Sequence, residues 1–181
     1  MKKAICKALL RMAGWKLGPV GEDVPKCVIC VAPHTSNWDF IVGKLFYTAL
    51  GRNASFLIKK AWFFFPFNIL FSWLGGVPVD RHQRTSVTDQ MVEVFNKRKI
   101  FQLAVTPEGT RKKVEEWKKG FYYIAEKAQV PIMIAYFDYA KKEAGFKGLF
   151  YPTGDAEKDI RTIRESYRDV TACHPENFVK V

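Results

Sequence analysis

Short apolar runs that are typical of buried strands alternate along this chain with segments whose apolar residues recur at helical spacing. The first run, residues 26–32 (KCVICVA), is rich in β-branched residues, and residues 38–50 after it carry apolar side chains at the i, i+3, i+4 and i+7 positions of a helix. Further predicted strands cover 54–58, 76–80, 99–106 and 131–139, and further predicted helices begin at Ser86, near 119 and near 155. This order predicts a single α/β domain with a mixed, largely parallel sheet flanked by helices, whose sites gather at the carboxyl ends of the strands.

The N-terminal segment, residues 1–18, has the pattern of a short amphipathic helix. One side is a basic stripe and another is apolar, with Lys3, Lys7 and Arg11 in the stripe and Ile5, Leu9, Met12 and Trp15 on the apolar side. The pattern suits a helix that lies on an anionic membrane, and it suits an ordinary surface helix packed on the domain equally well. The first alternative predicts a protein held peripherally on the cytoplasmic face of a membrane, the inner membrane in a bacterium.

Residues 61–79 (AWFFFPFNILFSWLGGVPV) contain no charged side chain and approach the length that spans a bilayer. The run is interrupted, however, by residues that would leave backbone groups unsatisfied in lipid, namely Pro66, Asn68, Gly75, Gly76 and Pro78. We therefore predict a broken aromatic segment rather than a transmembrane helix. It either fills the core or dips into the membrane interface, and Trp62 and Trp73 favour the interface slightly.

The net charge of the chain limits the classes of partner that it is expected to bind. Lys and Arg number 29 against 18 Asp and Glu, and the resulting net charge of +11 predicts an anionic partner. An anionic membrane, an acidic protein and a nucleic acid all fit that charge. We expect no nucleic acid, because the basic residues alternate with apolar core positions and match no recognition motif.

The cysteines offer a zinc site only in principle. Cys27 and Cys30 have the CxxC spacing, and Cys173 with His174 could complete a zinc set. Because residues i and i+3 of a strand point to opposite faces, however, the first two cannot share one metal. We expect buried apolar cysteines and no bound metal.

His34 and Asp39 lie between the first predicted strand and the first predicted helix. Neither a helix nor a strand brings side chains five residues apart together, so the two can meet only across a turn, which Pro33 favours. An imidazole before the helix could then donate its Nδ1 proton to a carboxylate in the first turn. An alternative is a plain helix start, because Ser36 and Asp39 have the spacing of a capping box.

A second candidate motif, TPEGTRKK at residues 106–113, follows the most strand-like run of the chain. Gly109 permits close backbone approach, Thr110 offers a hydroxyl, and Arg111 offers a planar fork that suits phosphate. A solvated type I turn with Pro107 at its second position explains the segment as well.

Four segments taken together resemble the 1-acyl-sn-glycerol-3-phosphate acyltransferase family of lysophospholipid acyltransferases. In order, they are PHTSNWD at 33–39, GGVPVDR at 75–81, PEGTR at 107–111 and VPIMIA at 130–135, and they include the HxxxxD and PEGTR signatures. The resemblance covers residues 24–140 and implies a glycerolipid acyltransferase-like fold. The chain departs from the family pattern at Thr106, Lys112 and Ala135, where the family usually has an aromatic residue, a serine and a proline, so the acyl acceptor stays open.

The resemblance implies transfer of a fatty acyl group from a thioester to the free hydroxyl of a lysophospholipid. His34 would be the general base and Asp39 would orient it, since histidine has the ordinary pKa nearest to neutral pH. The residues implied in binding the acceptor's phosphate are Lys59, Arg81, Glu108, Gly109, Thr110 and Arg111.

The implied donor is a thioester of coenzyme A or acyl carrier protein, which acts as a co-substrate, with no bound cofactor. The default acceptor is 1-acylglycerol-3-phosphate, and a lyso-aminolipid is the alternative. The implied partners are this lysolipid, an anionic membrane surface and an acyl carrier protein. A hydrolase or thioesterase that uses Ser36 is a rival, but the chain has no GxSxG elbow.

Overall fold

Parallel strands make up most of the sheet in the computed structural model, which describes residues 1–80 and 86–180. The strands are β1 Lys16–Leu17, β2 Lys26–Val31, β3 Ser55–Lys59, β4 Gly76–Val79, β5 Phe101–Val105, β6 Ile132–Asp138 and β7 Glu143–Phe150. The helices are α1 Lys2–Met12, α2 Trp38–Leu50, α3 Phe67–Leu74, α4 Val87–Lys97, α5 Gly120–Lys127 and α6 Ala156–Glu165, with 3₁₀ turns at Lys60–Trp62 and Pro175–Asn177.

The described strands lie in the order β1-β7-β6-β2-β5-β3-β4. Strands β2 to β6 are mutually parallel, β7 runs antiparallel to β6, and β1 runs parallel to β7. The predicted α/β class with a mixed, largely parallel sheet is thus confirmed.

Strand β2 is the centre of the arrangement, because it pairs with β5 on one side and with β6 on the other. Cys30 is in register with Val105 of β5 and with Ile134 of β6. The three strands therefore end near one another at the carboxyl edge of the sheet, and the segments that follow them are neighbours in space.

The core has two halves, one on each face of the sheet. Helices α4, α5 and α6 cover one face, where Val28 and Cys30 of β2 are buried, and α1 and α2 cover the other, where Cys27 and Ile29 are buried. The CxxC cysteines thus lie on opposite faces, as the strand spacing predicts. Burial raises the pKa of the Cys27 thiol to about 12, so this side chain stays an uncharged part of the core.

Two predicted helix starts are confirmed. Helix α2 begins at Trp38, and the side chain of Ser86 accepts a hydrogen bond from the Asp89 N–H at 3.1 Å, so it caps α4. The Ser86 side chain thus satisfies an N–H group that the first turn of α4 leaves free.

The prediction missed β7 and β1. Residues 143–150 (EAGFKGLF) contain two glycines and no β-branched residue, so their pairing with β6 has no local signal. The N-terminal helix is also shorter than the predicted 1–18, since α1 ends at Met12 and Gly14 adopts a φ of 78°. Trp15 therefore lies beyond the helix and is buried, rather than on its apolar side.

Residues 61–79 form the broken segment that the prediction describes. Part of the first 3₁₀ turn, helix α3 and strand β4 lie within it, and α3 has no buried residue at all. Across residues 1–80 and 86–180, no helix combines the length and the apolar character needed to cross a membrane.

Candidate active site

His34 and Asp39 meet across the turn between β2 and α2. His34 Nδ1 lies 3.1 Å from Asp39 Oδ2, so the two side chains meet in the one way that their five-residue spacing allows. The Asp39 side chain is 2% exposed and that of His34 is 17% exposed. The carboxylate is therefore sealed inside the protein, while the imidazole retains an open edge.

The Asp39 carboxylate accepts four hydrogen bonds. Oδ2 accepts from His34 Nδ1 and from the N–H groups of Thr35 and Ser36, both at 2.9 Å, and Oδ1 accepts from the Tyr139 hydroxyl at 2.7 Å. Burial by itself raises the pKa of Asp39, but these hydrogen bonds outweigh it and hold the pKa below the ordinary value. The group is therefore a carboxylate at neutral pH, with every neighbour acting as a donor.

The helix start and the His34 contact turn out to be compatible. Asp39 reaches back to the Ser36 N–H as the acid of a capping box does, but Ser36 Oγ accepts from the Trp38 N–H at 3.2 Å rather than from Asp39, and the N-cap of α2 is Asn37, so only half of the predicted box forms. These local bonds place the carboxylate where His34 needs it. These contacts stabilise the turn in the form that brings the two side chains together.

The PEGTR segment follows β5 and begins with a tight turn. The Gly109 N–H donates to the Thr106 carbonyl at 3.1 Å, which places Pro107 at the second position as predicted. Gly109 has a φ of 66°, in the left-handed region that glycine adopts without strain, and a Cβ there would meet the flexible end of the Lys118 side chain at 2.7 Å. The turn directs Thr110 and Arg111 outward, where both are exposed.

Glu108 points inward, unlike the three residues of the motif that follow it. Its side chain is 5% exposed, and Oε1 accepts a hydrogen bond from the His34 N–H at 2.9 Å. Burial raises the pKa of Glu108 above its ordinary value, against the opposing effect of that bond. Within the described part of the chain, Oε2 has no hydrogen-bond partner. Glu108 thus connects the PEGTR segment to the histidine backbone.

A cavity of about 350 Å³ opens between the two motifs. The residues that line it are His34, Thr106, Gly109, Thr110, Arg111 and Lys112. Since Nδ1 faces Asp39, the other imidazole nitrogen, Nε2, is the one available to a bound molecule. The cavity therefore combines a potential base with two cationic side chains.

Comparisons with known proteins decide the family. The sequence model of the acyltransferase family matches residues 20–137, well over half of the chain. This chain belongs to the acyltransferase family. The match confirms the predicted family and the prediction that the chain is an acyltransferase.

A solved structure shows the same fold as this acyltransferase. The crystal structure of the 1-acyl-sn-glycerophosphate (LPA) acyltransferase PlsC from Thermotoga maritima is similar with a TM-score of 0.60. The two chains are 20% identical, and the match covers 91% of this chain and 74% of the Thermotoga chain. No curated protein sequence matches the chain significantly.

Two further predicted site residues of the acyltransferase, Lys59 and Arg81, are not among the described residues seen to line the cavity. Lys59 is the exposed last residue of β3 and is not among the residues that line the cavity. Arg81 lies outside the described residues. The described ranges contain no group of three or more His, Cys, Asp or Glu side chains that could hold a metal ion.

Sequence reasoning missed Tyr139, whose hydroxyl donates to Asp39. It directly follows β6, the neighbour of β2, so the rule that sites gather at the carboxyl ends of strands was the signal that could have found it. No motif includes this residue. Only the pairing of β6 with β2 brings it to the histidine turn of the acyltransferase.

Proposed function

We propose that this acyltransferase moves a fatty acyl group from a thioester of coenzyme A or acyl carrier protein to the free hydroxyl of 1-acylglycerol-3-phosphate, in membrane lipid synthesis. The observation that carries the proposal is the His34–Asp39 pair, which opens onto a cavity that also presents Arg111 and Lys112. A base and an anion-binding wall in one cavity suit an acceptor that has both a hydroxyl and a phosphate.

In the proposed mechanism, Nε2 of His34 takes the proton of the acceptor hydroxyl while its oxygen attacks the thioester carbonyl carbon. A tetrahedral intermediate forms, and it collapses when the carbon–sulfur bond breaks. The imidazolium returns its proton to the departing thiolate, so the enzyme ends in its starting state. The Asp39 carboxylate stabilises the imidazolium in between, as the carboxylate of a hydrolase triad does.

A serine hydrolase mechanism has less support from the same geometry. Ser36 is buried, and its Oγ is engaged with the Trp38 N–H at the start of α2. In the proposal the acceptor hydroxyl takes the place that the serine has in a hydrolase triad. No acyl-enzyme is needed.

The role of Arg111 is tested with a panel of acceptors and a labelled acyl thioester. We expect Arg111→Ala to lower kcat/KM for 1-acylglycerol-3-phosphate by about 10- to 100-fold, because a charge-assisted hydrogen bond to phosphate is lost. With an uncharged monoacylglycerol, the same variant should change kcat/KM by no more than about twofold. A lyso-aminolipid in the panel tests the alternative acceptor.

Lys113→Ala is the matched control for this panel. Lys113 is two residues further along and 60% exposed, but it does not line the cavity. It should therefore leave the ratio between phosphorylated and neutral acceptors unchanged. Equal losses with both acceptors in Arg111→Ala would refute the phosphate role.

We further propose that one side of the molecule docks on an anionic membrane. We call this side the aromatic face, and it consists of the exposed residues Trp62, Phe64, Phe65, Phe67, Ile69, Leu70 and Trp73. Phe65 is 78% exposed and Trp73 is 70% exposed, which is unusual for side chains of this size. Lys2 of α1 lies 5.6 Å from the centre of the Trp73 ring, so the N-terminal helix borders the aromatic face.

The charges around the aromatic face favour an anionic lipid surface as its partner. Residues 40–79 contain no Asp or Glu, and neither do residues 1–21, whereas both segments contain several Lys and Arg. Aromatic side chains bordered by cations suit the boundary between acyl chains and anionic headgroups. The cytoplasmic leaflet of a membrane provides such headgroups.

Vesicle flotation tests this membrane face. We expect Phe65→Ser with Trp73→Ser to weaken binding to phosphatidylglycerol vesicles by about tenfold or more, because two apolar side chains no longer enter the lipid. The control is Ile100→Ser with Tyr151→Ser, since these residues are 75% and 65% exposed outside the aromatic face. The proposal is wrong if the two double variants bind the vesicles equally well. Acyl transfer to short-chain acceptors in solution, measured with the same variants, shows whether the substitutions change the chemical step independently of membrane binding.

A further inference from the structure

We propose that Tyr139 is a positioning residue of the acyl-transfer site, which fixes the rotation of the Asp39 carboxylate and thereby keeps His34 in the tautomer that leaves Nε2 free. The inference rests on the proposed function of the His34–Asp39 pair. Tyr139 itself touches neither substrate in the proposed mechanism, and it acts through Asp39.

The hydrogen bonds of the carboxylate show what Tyr139 can do. Three donors meet Oδ2, and the Tyr139 hydroxyl meets Oδ1 at 2.7 Å. The torsion that rotates an aspartate carboxyl group has a broad energy profile, so bonds to one oxygen alone hold its plane weakly. A donor on the second oxygen defines the plane, and with it the direction in which Oδ2 faces the imidazole.

Tyr139 is itself held firmly enough to serve in this way. Its backbone N–H donates to the Thr171 carbonyl at 2.9 Å, and its ring packs edge-on against Trp15 with a centroid distance of 5.0 Å and an interplanar angle of 85°. Burial, together with the bond to Asp39, raises the pKa of Tyr139 above its ordinary value. The hydroxyl therefore keeps its proton and remains a donor at physiological pH.

The geometry of the donor set explains why the tautomer depends on this bond. Thr35 N–H, Ser36 N–H and Tyr139 O–H can only be satisfied by a carboxylate that accepts at both oxygens. A carboxylate held in that orientation presents a lone pair of Oδ2 to Nδ1. His34 then carries its proton on Nδ1, and the lone pair of Nε2 faces the cavity.

Tyr139→Phe is the test, because it removes the hydroxyl and keeps the ring against Trp15. We expect kcat for acyl transfer to fall by about ten- to hundredfold, which is the size of one lost hydrogen bond to a charged group, and both KM values to stay within about twofold. Imidazole ¹⁵N spectra should show a single Nδ1–H tautomer of His34 in the wild type and a mixture of tautomers in Tyr139→Phe. The chain has three histidines, so the His34 signals are assigned by their loss in His34→Ala.

Tyr122→Phe is the matched control. Tyr122 also donates its hydroxyl to a buried aspartate, Asp159, at 2.8 Å, but this pair lies on the other face of the sheet. Tyr122→Phe should lower the melting temperature at least as much as Tyr139→Phe does and leave both kcat and the His34 spectrum unchanged.

Two results would overturn the inference. One is an unchanged kcat and a single His34 tautomer in Tyr139→Phe. The other is a kcat loss that Tyr122→Phe reproduces, which would mean that general destabilisation causes it. If His34→Ala abolishes transfer in the same assay, either result refutes only the role of Tyr139. Full activity of His34→Ala would instead refute the proposed mechanism itself.

Discussion

Replacing His34 with alanine is expected to lower kcat for acyl transfer by about two to four orders of magnitude, with little change in either KM. A hydroxyl is a weak nucleophile at neutral pH, and His34 is the side chain in the cavity whose free nitrogen can take the proton. Binding of the acyl thioester and of the phosphate does not depend on the imidazole in this mechanism. The loss should therefore fall on the chemical step, which single-turnover measurements isolate.

The matched control for this variant is His174→Ala. Its backbone N–H donates to Thr35 Oγ1 at 3.0 Å, next to the active-site turn, but its ring lies 3.5 Å from Glu176 and is half exposed. Removal of this ring leaves the backbone contact in place. Transfer rates within about twofold of wild type are expected for His174→Ala, while near-wild-type turnover of His34→Ala would contradict the assigned base.

Asp39→Asn is expected to cost about two to four orders of magnitude in kcat, and no more than the loss of His34 itself, because Asp39 acts through that histidine. All four contacts of the Asp39 carboxylate come from donors, so an amide must turn its NH₂ group toward either the Tyr139 hydroxyl or the imidazole, and facing the imidazole it would select the wrong His34 tautomer. The imidazolium that forms during transfer also loses its counter-charge. Both effects act on the chemical step.

Asp159→Asn separates this effect from ordinary destabilisation. Asp159 is also 2% exposed, and it accepts hydrogen bonds from Tyr122 and from both the N–H and the hydroxyl of Thr153. Each substitution should lower the free energy of unfolding by about 1–3 kcal/mol, since each leaves buried donors poorly paired. Only Asp39→Asn should lower kcat per folded molecule, and equal kcat losses in the two variants would count against a catalytic role for Asp39.

The sequence predicted the parallel part of the sheet because each of its strands carries a local signal. The run at 26–32 and the run at 131–139 are continuous and apolar, which is what burial on both faces requires, and both form strands. Strand β7 has no such signal, and it is extended because it forms hydrogen bonds with its partner β6. The order of the strands depends on contacts between distant parts of the chain, which local patterns do not encode.

The candidate site was predictable where it depends on short-range geometry. The turn between β2 and α2 brings His34 to Asp39 through contacts within six residues, and the spacing alone required that turn. The inward direction of Glu108 and the arrival of Tyr139 depend instead on β5 and β6 lying on either side of β2. Glu108 was predicted to bind phosphate with its neighbours, and its contact with the His34 N–H favours a role in holding the histidine.

The proposed role of His34 is to activate a lysolipid hydroxyl for acyl transfer. It is tested most directly by incubating a labelled acyl thioester with 1-acylglycerol-3-phosphate and either the wild type or His34→Ala, and then separating labelled phospholipid from free fatty acid. The proposal predicts labelled diacyl phospholipid with the wild type and, with His34→Ala, at most about one hundredth of its rate. Free fatty acid as the main wild-type product, or equal rates of phospholipid formation by the two proteins, would contradict it.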